Sequence, residues 1–159
     1  MKKWILAVGL MIFCGQGIAK EPNTLFVVHS VTLNDQNKAK KRPYYEKGER
    51  FQIFNLESQS MKTIYQNKKI KSVYLEPGNY CFASVFISQS QRVPIKNKIC
   101  FVISDEHINN MGTFVIGTRV AGKSPYALIV DIKQNYDEIA QAANQPSAKP
   151  VRLFKIKGS

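Results

Sequence analysis

Acidic residues, histidine, tryptophan and cysteine are all scarce in this 159-residue chain. There are 11 Asp plus Glu, two His, one Trp and three Cys, against 23 Lys plus Arg. Three cysteines are too few for a disulfide-dense mini-protein. The two histidines, His29 and His107, are far apart in sequence and neither has a partner at metal-ligand spacing. No apolar run reaches the roughly 20 residues a membrane-spanning helix needs. A Gly-x-Ser-x-Gly elbow, a glycine-rich phosphate loop, internal repeats, low-complexity tracts and an interdomain linker are also missing. What the chain does have is 44% hydrophobic and 11% aromatic residues, too apolar for intrinsic disorder. Its length fits one packed domain, which can stabilise a single core unaided, so no cofactor is expected.

The first 19 residues have the features of a secretory signal peptide. Lys2 and Lys3 precede an apolar run from Trp4 to Phe13, and Gly17 and Ala19 are small residues at three-and-one spacing. Acylation at Cys14 is a rival outcome, but bulky Phe13 stands where lipidation signals carry a small residue, so cleavage after Ala19 is the expectation. The mature domain, residues 20–159, then keeps 21 basic against 11 acidic residues, a net charge of +10. Of the cysteines, only Cys81 and Cys100 remain, an even pair in an oxidising compartment. A disulfide between them closes a loop of about 20 residues and is worth about 3 kcal/mol through the entropy of the unfolded chain. A redox role is disfavoured because the two-residue spacing of thiol oxidoreductases is missing.

Along the mature chain, short segments rich in Val, Ile, Phe and Tyr are separated by turn residues, the pattern of an all-β domain. Strands are expected at 24–33, 50–56, 70–75, around 80–87, 99–103, 113–120, 126–132 and 151–156. Glu76-Pro77-Gly78-Asn79 fits a type II turn, with proline presetting the first angle and glycine taking the positive φ of the second. After it, strict alternation puts Tyr80, Phe82, Ser84 and Phe86 on one face and Cys81, Ala83, Val85 and Ile87 on the other, a strand apolar on both sides and so mid-sheet. An antiparallel return through 99–103 would bring Cys100 opposite Cys81, while 88–98 reads as a polar connection. Asn135 with Glu138 forms a capping-box pattern before a short helix bearing Ile139, Ala140 and Ala143. The expectation is an antiparallel β-sandwich of about eight strands with one short helix near the C-terminus.

The run Val73-x-Leu75-x-Pro77-Gly78-x-Tyr80-x-Phe82, followed by Gly112-x-Phe114-x-Ile116-Gly117, resembles small exported bacterial proteins with prealbumin-like or carboxypeptidase-regulatory-like sandwiches. The resemblance spans roughly residues 70–132. It implies a fold and an exported setting, with no chemistry attached.

Catalytic candidates are thin. His29 alternates with Val27 and Val31, and an inward face would make it a partly buried, hydrogen-bonded histidine. His107 follows Asp105 and Glu106, which reads as an ordinary polar turn rather than a cation loop. The adjacent acids Asp137 and Glu138 suit a helix N-terminus. No enzyme activity is therefore expected.

The positive charge is clustered. Lys40, Lys41 and Arg42 stand beside Tyr44 and Tyr45, and Lys68, Lys69 and Lys71 form a second group. Together these residues are the expected contact surface for an anionic envelope component or an acidic protein, with peripheral membrane contact included. The leader argues against a nucleic-acid target, and no nucleic-acid module is visible. The expected function is a non-catalytic binding or accessory protein of the cell envelope, periplasmic or further outward. The alternative is an inhibitor or immunity-type protein that binds an acidic partner enzyme.

Overall fold

The structure is a computed structural model and describes residues 19–34, 36, 38–40, 49–66, 68–120 and 122–156; of Ala39, Lys40 and Glu49 only the backbone is described. The segment expected to be a leader, apart from Ala19, lies outside these residues. Among the described residues the protein is an all-β sandwich of two sheets with one short helix.

The first sheet is built on β1 (Thr24–Leu33) and β9 (Asn109–Arg119), which run parallel from Thr24↔Asn109 to Thr32↔Thr118. β10 (Tyr126–Lys133) returns antiparallel on β9 and completes the expected hairpin. The other edge of β1 is shared by two short strands. β5 (Lys71–Val73) covers Thr24 to Phe26, and β2 (Ala39–Lys40) covers Thr32 and Leu33. The two-residue β11 (Lys149–Pro150) adds to the start of β9.

The second sheet has the order β12-β8-β6-β3-β4, from β12 (Leu153–Lys155), β8 (Ile99–Ile103), β6 (Gly78–Phe86), β3 (Glu49–Asn55) and β4 (Met61–Gln66). β7 (Arg92–Pro94) pairs with the end of β6 inside the segment expected to be a plain connection. Met61–Gln66 is a strand although its sequence is polar, because Ile64 alone must reach the core while the edge tolerates hydrophilic neighbours.

Alternating residues of both sheets meet in a core centred on phenylalanine. Phe26, Phe51, Phe82, Phe101 and Phe114 are all fully buried. The Phe82 ring lies 4.6 Å from Phe114, 5.5 Å from Phe101 and 5.7 Å from Phe51 by ring centroids, all in tilted geometry. A second, smaller apolar layer lies outside the first sheet. There α1 (Tyr136–Ala142) lays Ile139 on Leu25 and Val27.

Several local expectations are corrected. Strict alternation fails in β6 because its register with β3 slips between Gln52↔Ser84 and Ile53↔Phe82. Ala83 is the extra residue, a β-bulge. It keeps Tyr80, Phe82 and Val85 in the core together, while Ser84 joins a polar group around Gln52.

The Glu76–Asn79 turn has its positive φ at Gly78, +144°, beyond the type II value of about +80°. The Asn79 N–H that would close such a turn donates instead to the Glu57 carboxylate, at 2.9 Å to Oε2. The Glu76 carbonyl accepts from the Tyr80 hydroxyl at 3.0 Å, tying the tyrosine back four residues. Asn135 holds the N-cap position of α1 without a capping bond. Its Oδ1 accepts from Thr113 Oγ1 at 2.9 Å, so the side chain anchors the helix to β9.

Three side-chain amides act as one-residue strands. Gln66 Oε1 accepts from the Val28 N–H at 2.7 Å and Gln66 Nε2 donates to the Val28 carbonyl at 3.2 Å, filling the β1 edge between β5 and β2. Asn97 does the same for Ile129, with both bonds at 2.7 Å, and Asn23 for Leu75 at 2.8 and 2.9 Å. Backbone groups that irregular pairing leaves over are satisfied in this way.

Candidate binding face on the second sheet

The sites expected from sequence divide three ways. Cys81 and Cys100 are bonded, as a directly opposed pair on β6 and β8 with their Cα atoms 3.9 Å apart. Lys41, Arg42, Tyr44 and Tyr45 lie outside the described residues, and of Lys40 only the backbone is placed, opposite Thr32. Lys68 and Lys69 are exposed in the connection before β5, and Lys71 is half-buried opposite Phe26. Lys40 and Lys71 therefore sit on the same edge of β1, six residues apart along it, a backbone separation of about 20 Å.

His29 is exposed on the outer face of the first sheet, which corrects its expected partial burial. The helix that buries Val27 on that face stops short of it. The turn holding Asp105, Glu106 and His107 is organised by Asn109. Its Nδ2 donates to the Ser104 carbonyl at 2.8 Å and the His107 carbonyl at 3.3 Å, and its Oδ1 accepts from the Ser104 N–H. Among the described residues no three His, Cys, Asp or Glu side chains gather at metal-binding distance.

The arrangement that sequence reading missed lies on the outer face of the second sheet, where cross-strand register sorts side chains into three rows. The first row crosses β4, β3, β6 and β7 as Tyr65, Arg50, Phe86 and Arg92. Tyr65 is opposite Arg50, the Arg50 guanidinium stacks 3.6 Å from the Phe86 centroid, and Phe86 is opposite Arg92. The second row is Thr63, Gln52, Ser84 and Pro94. In it Gln52 Oε1 accepts from Ser84 Oγ and from Arg92 Nη1, both at 2.8 Å, while Gln52 Nε2 donates to Thr63 Oγ1 at 3.0 Å. The third row is apolar and crosses five strands: Met61, Phe54, Cys81, Cys100 and Phe154.

Both arginines are held before any ligand arrives. Arg50 Nη2 donates to the Ser88 carbonyl at 2.9 Å and to the Gln89 carbonyl, and the guanidinium also lies 5.7 Å from the Tyr65 centroid. A guanidinium carries five N–H donors, so donors remain on each for an oxyanion. For Arg50, stacking on aromatic faces fixes the fork and lowers the entropy lost on binding, while Arg92 is held by its bond to Gln52.

The sheet is also electrostatically one-sided. Its strands carry Arg50, Lys62, Arg92 and Lys155, and their one acidic residue is Glu49. Glu57, in the turn after β3, lies at the far end from Arg50. The Asn79 N–H bonded to its carboxylate holds its pKa below the ordinary range.

Lys62 differs from the other cations because it points inward from the edge strand. Its Nζ donates to the Tyr74 carbonyl at 2.5 Å, and burial lowers its pKa. An inward charge on an edge strand discourages pairing with another strand.

The signal that could have exposed this face is the spacing Arg50-x-Gln52-x-Phe54 on one side of a strand. Its partners on β4, β6 and β7 become visible only once the bulge and register are known. No family model, curated protein or solved structure matches the chain. No helix among the described residues is long and apolar enough to cross a membrane.

Proposed function

We propose that the protein is an exported, non-catalytic binding or accessory module of the bacterial envelope that engages an anionic partner through a basic, tyrosine-containing surface. The observation that carries this reading is the Tyr65–Arg50–Phe86–Arg92 row. It offers two pre-positioned guanidinium groups on a sheet whose strands carry Arg50, Lys62, Arg92 and Lys155 against one acid, Glu49. Charge-assisted bonds from fixed arginines to carboxylate or phosphate are strong and directional. In sequence, Tyr45 and Tyr44 precede Arg50 by five and six residues and follow the basic cluster Lys40, Lys41 and Arg42.

The test is an affinity capture from envelope extract by the oxidised protein, eluted with a salt gradient and compared with an Arg50→Gln/Arg92→Gln variant. Anionic lipid, polymer or protein released by salt from the wild type and lost from the variant is the expected result. Capture of nothing, or equal capture by the variant, refutes it. A single protein held one-to-one through moderate salt would shift the reading to an inhibitor of an acidic partner.

A further inference from the structure

We infer that the outer face of the second sheet seats a phosphate-bearing membrane amphiphile, its phosphate on the Arg50–Arg92 row and its acyl portion on the solvent-reaching members of the apolar row, Met61, Phe54 and Phe154. This rests on the anionic-partner reading and specifies its ligand.

Three features carry the inference. The face is polarised end to end: cations lie on one row, apolar groups two rows away, and the acid Glu57 lies beyond the apolar row. From Arg50 to Phe54 along β3 is about 13 Å, a span that separates a headgroup from the upper part of an acyl chain. The apolar row is continuous in register over five strands, about 19 Å across. Its disulfide is buried, Phe54 and Phe154 are half-buried, and Met61 at one end is 50% exposed. These groups pack outside the central core, which takes Phe51, Ile53 and Leu153 from the same strands instead.

The Gln52–Ser84–Thr63 row between the two ends is already hydrogen-bonded within itself, so it can lie under an ester or glycerol region at little cost.

Other anionic partners fit less well. A sugar chain stacks on exposed rings, and here Arg50 already covers one face of Phe86, leaving Tyr65. A peptide adding as a strand to the β4 edge would have to displace Lys62 from the Tyr74 carbonyl. Neither would use the apolar row.

The experiment uses the protein expressed from its full reading frame, purified with its disulfide formed. Sedimentation is measured with vesicles of phosphatidylglycerol in phosphatidylcholine, with pure phosphatidylcholine vesicles, and with polyphosphate binding as a lipid-free arm. The expectation is binding to the phosphatidylglycerol vesicles at low salt and none to phosphatidylcholine. Arg92→Gln should weaken both the vesicle and the polyphosphate arms, by about tenfold for one charge-assisted contact. Met61→Asn should weaken the vesicle arm alone by severalfold, with Phe154→Ser as the second variant should the first not fold.

Equal vesicle binding by both apolar variants, or polyphosphate binding without vesicle binding, overturns the amphiphile and leaves the anionic-partner reading standing. Binding in neither arm, with nothing captured from envelope extract, overturns both. Capture of an acidic glycan or protein with no vesicle binding overturns the amphiphile alone.

Discussion

Replacing Gln66 tests whether a single buried amide joins the two sheets. Its side chain is 6% exposed and makes both bonds a neighbouring strand would make to Val28, with a further Nε2 bond to the Lys69 carbonyl at 3.4 Å. Gln66→Met keeps the volume and removes both functions, leaving the Val28 N–H and carbonyl unpaired in the seam. Each buried, unpaired group costs about 1–3 kcal/mol. The pair should therefore cost about 3 kcal/mol, or roughly 10 °C in Tm for a domain of this size.

Urea melts with an unchanged m-value would report the loss, and amide exchange at Val28 should rise with it. Gln66→Glu adds a pH signature. The ionised carboxylate can accept from the Val28 N–H, but it faces two carbonyls with no proton to offer. Its folded-state pKa is therefore raised, so the stability of this variant should increase as pH falls through that value and the acid regains a donor. A Gln66→Met protein within about 0.5 kcal/mol of wild type would refute the reasoning, because a surface-type change costs no more than that.

Removing both disulfide cysteines by Cys81→Ala/Cys100→Ala should cost about 3 kcal/mol in chemical denaturation, from the loop of 19-residue separation it opens. At Gly117 an added Cβ would lie 2.5 Å from Leu33 Cδ2. Gly117→Ala should therefore destabilise by about 1–3 kcal/mol, and pairing it with Leu33→Ala should recover part of the loss in a double-mutant cycle. Glu57 and Glu76 have lowered pKa values, Glu57 through the Asn79 N–H and Glu76 through the Lys20 ammonium. Their contribution is complete above the ordinary carboxylate range and is lost as pH falls through their folded values. Glu57→Gln should accordingly lower stability at neutral pH and change it least in acid, where the wild-type carboxyl is already protonated, so that the acid limb of a stability–pH profile flattens.

The runs rich in β-branched and aromatic residues at Thr24–Leu33 and Ile99–Ile103, the turn residues around Gly78 and Gly122, and the lone helical spacing near Ile139 were legible because each is a local property of the chain. So was the cysteine pair: once two neighbouring strands run antiparallel, the register that opposes Cys81 and Cys100 is nearly forced. The charge imbalance was equally plain in the residue counts, and it drew attention to the lysine clusters.

The tertiary structure alone decided the rest. Parallel pairing of β1 with β9 joins residues more than 80 positions apart, and no local pattern encodes it. The Ala83 bulge shifts β6 by one residue, and a one-residue shift exchanges the faces of every side chain beyond it. That shift puts Phe86 outward under Arg50 and keeps Val85 in the core. The candidate binding face is thus assembled from Tyr65, Arg50, Phe86 and Arg92 on four strands, and its cations are arginines scattered singly in the sequence. A charge cluster in sequence is a local fact, whereas a row across a sheet is fixed by register, which depends on every strand between.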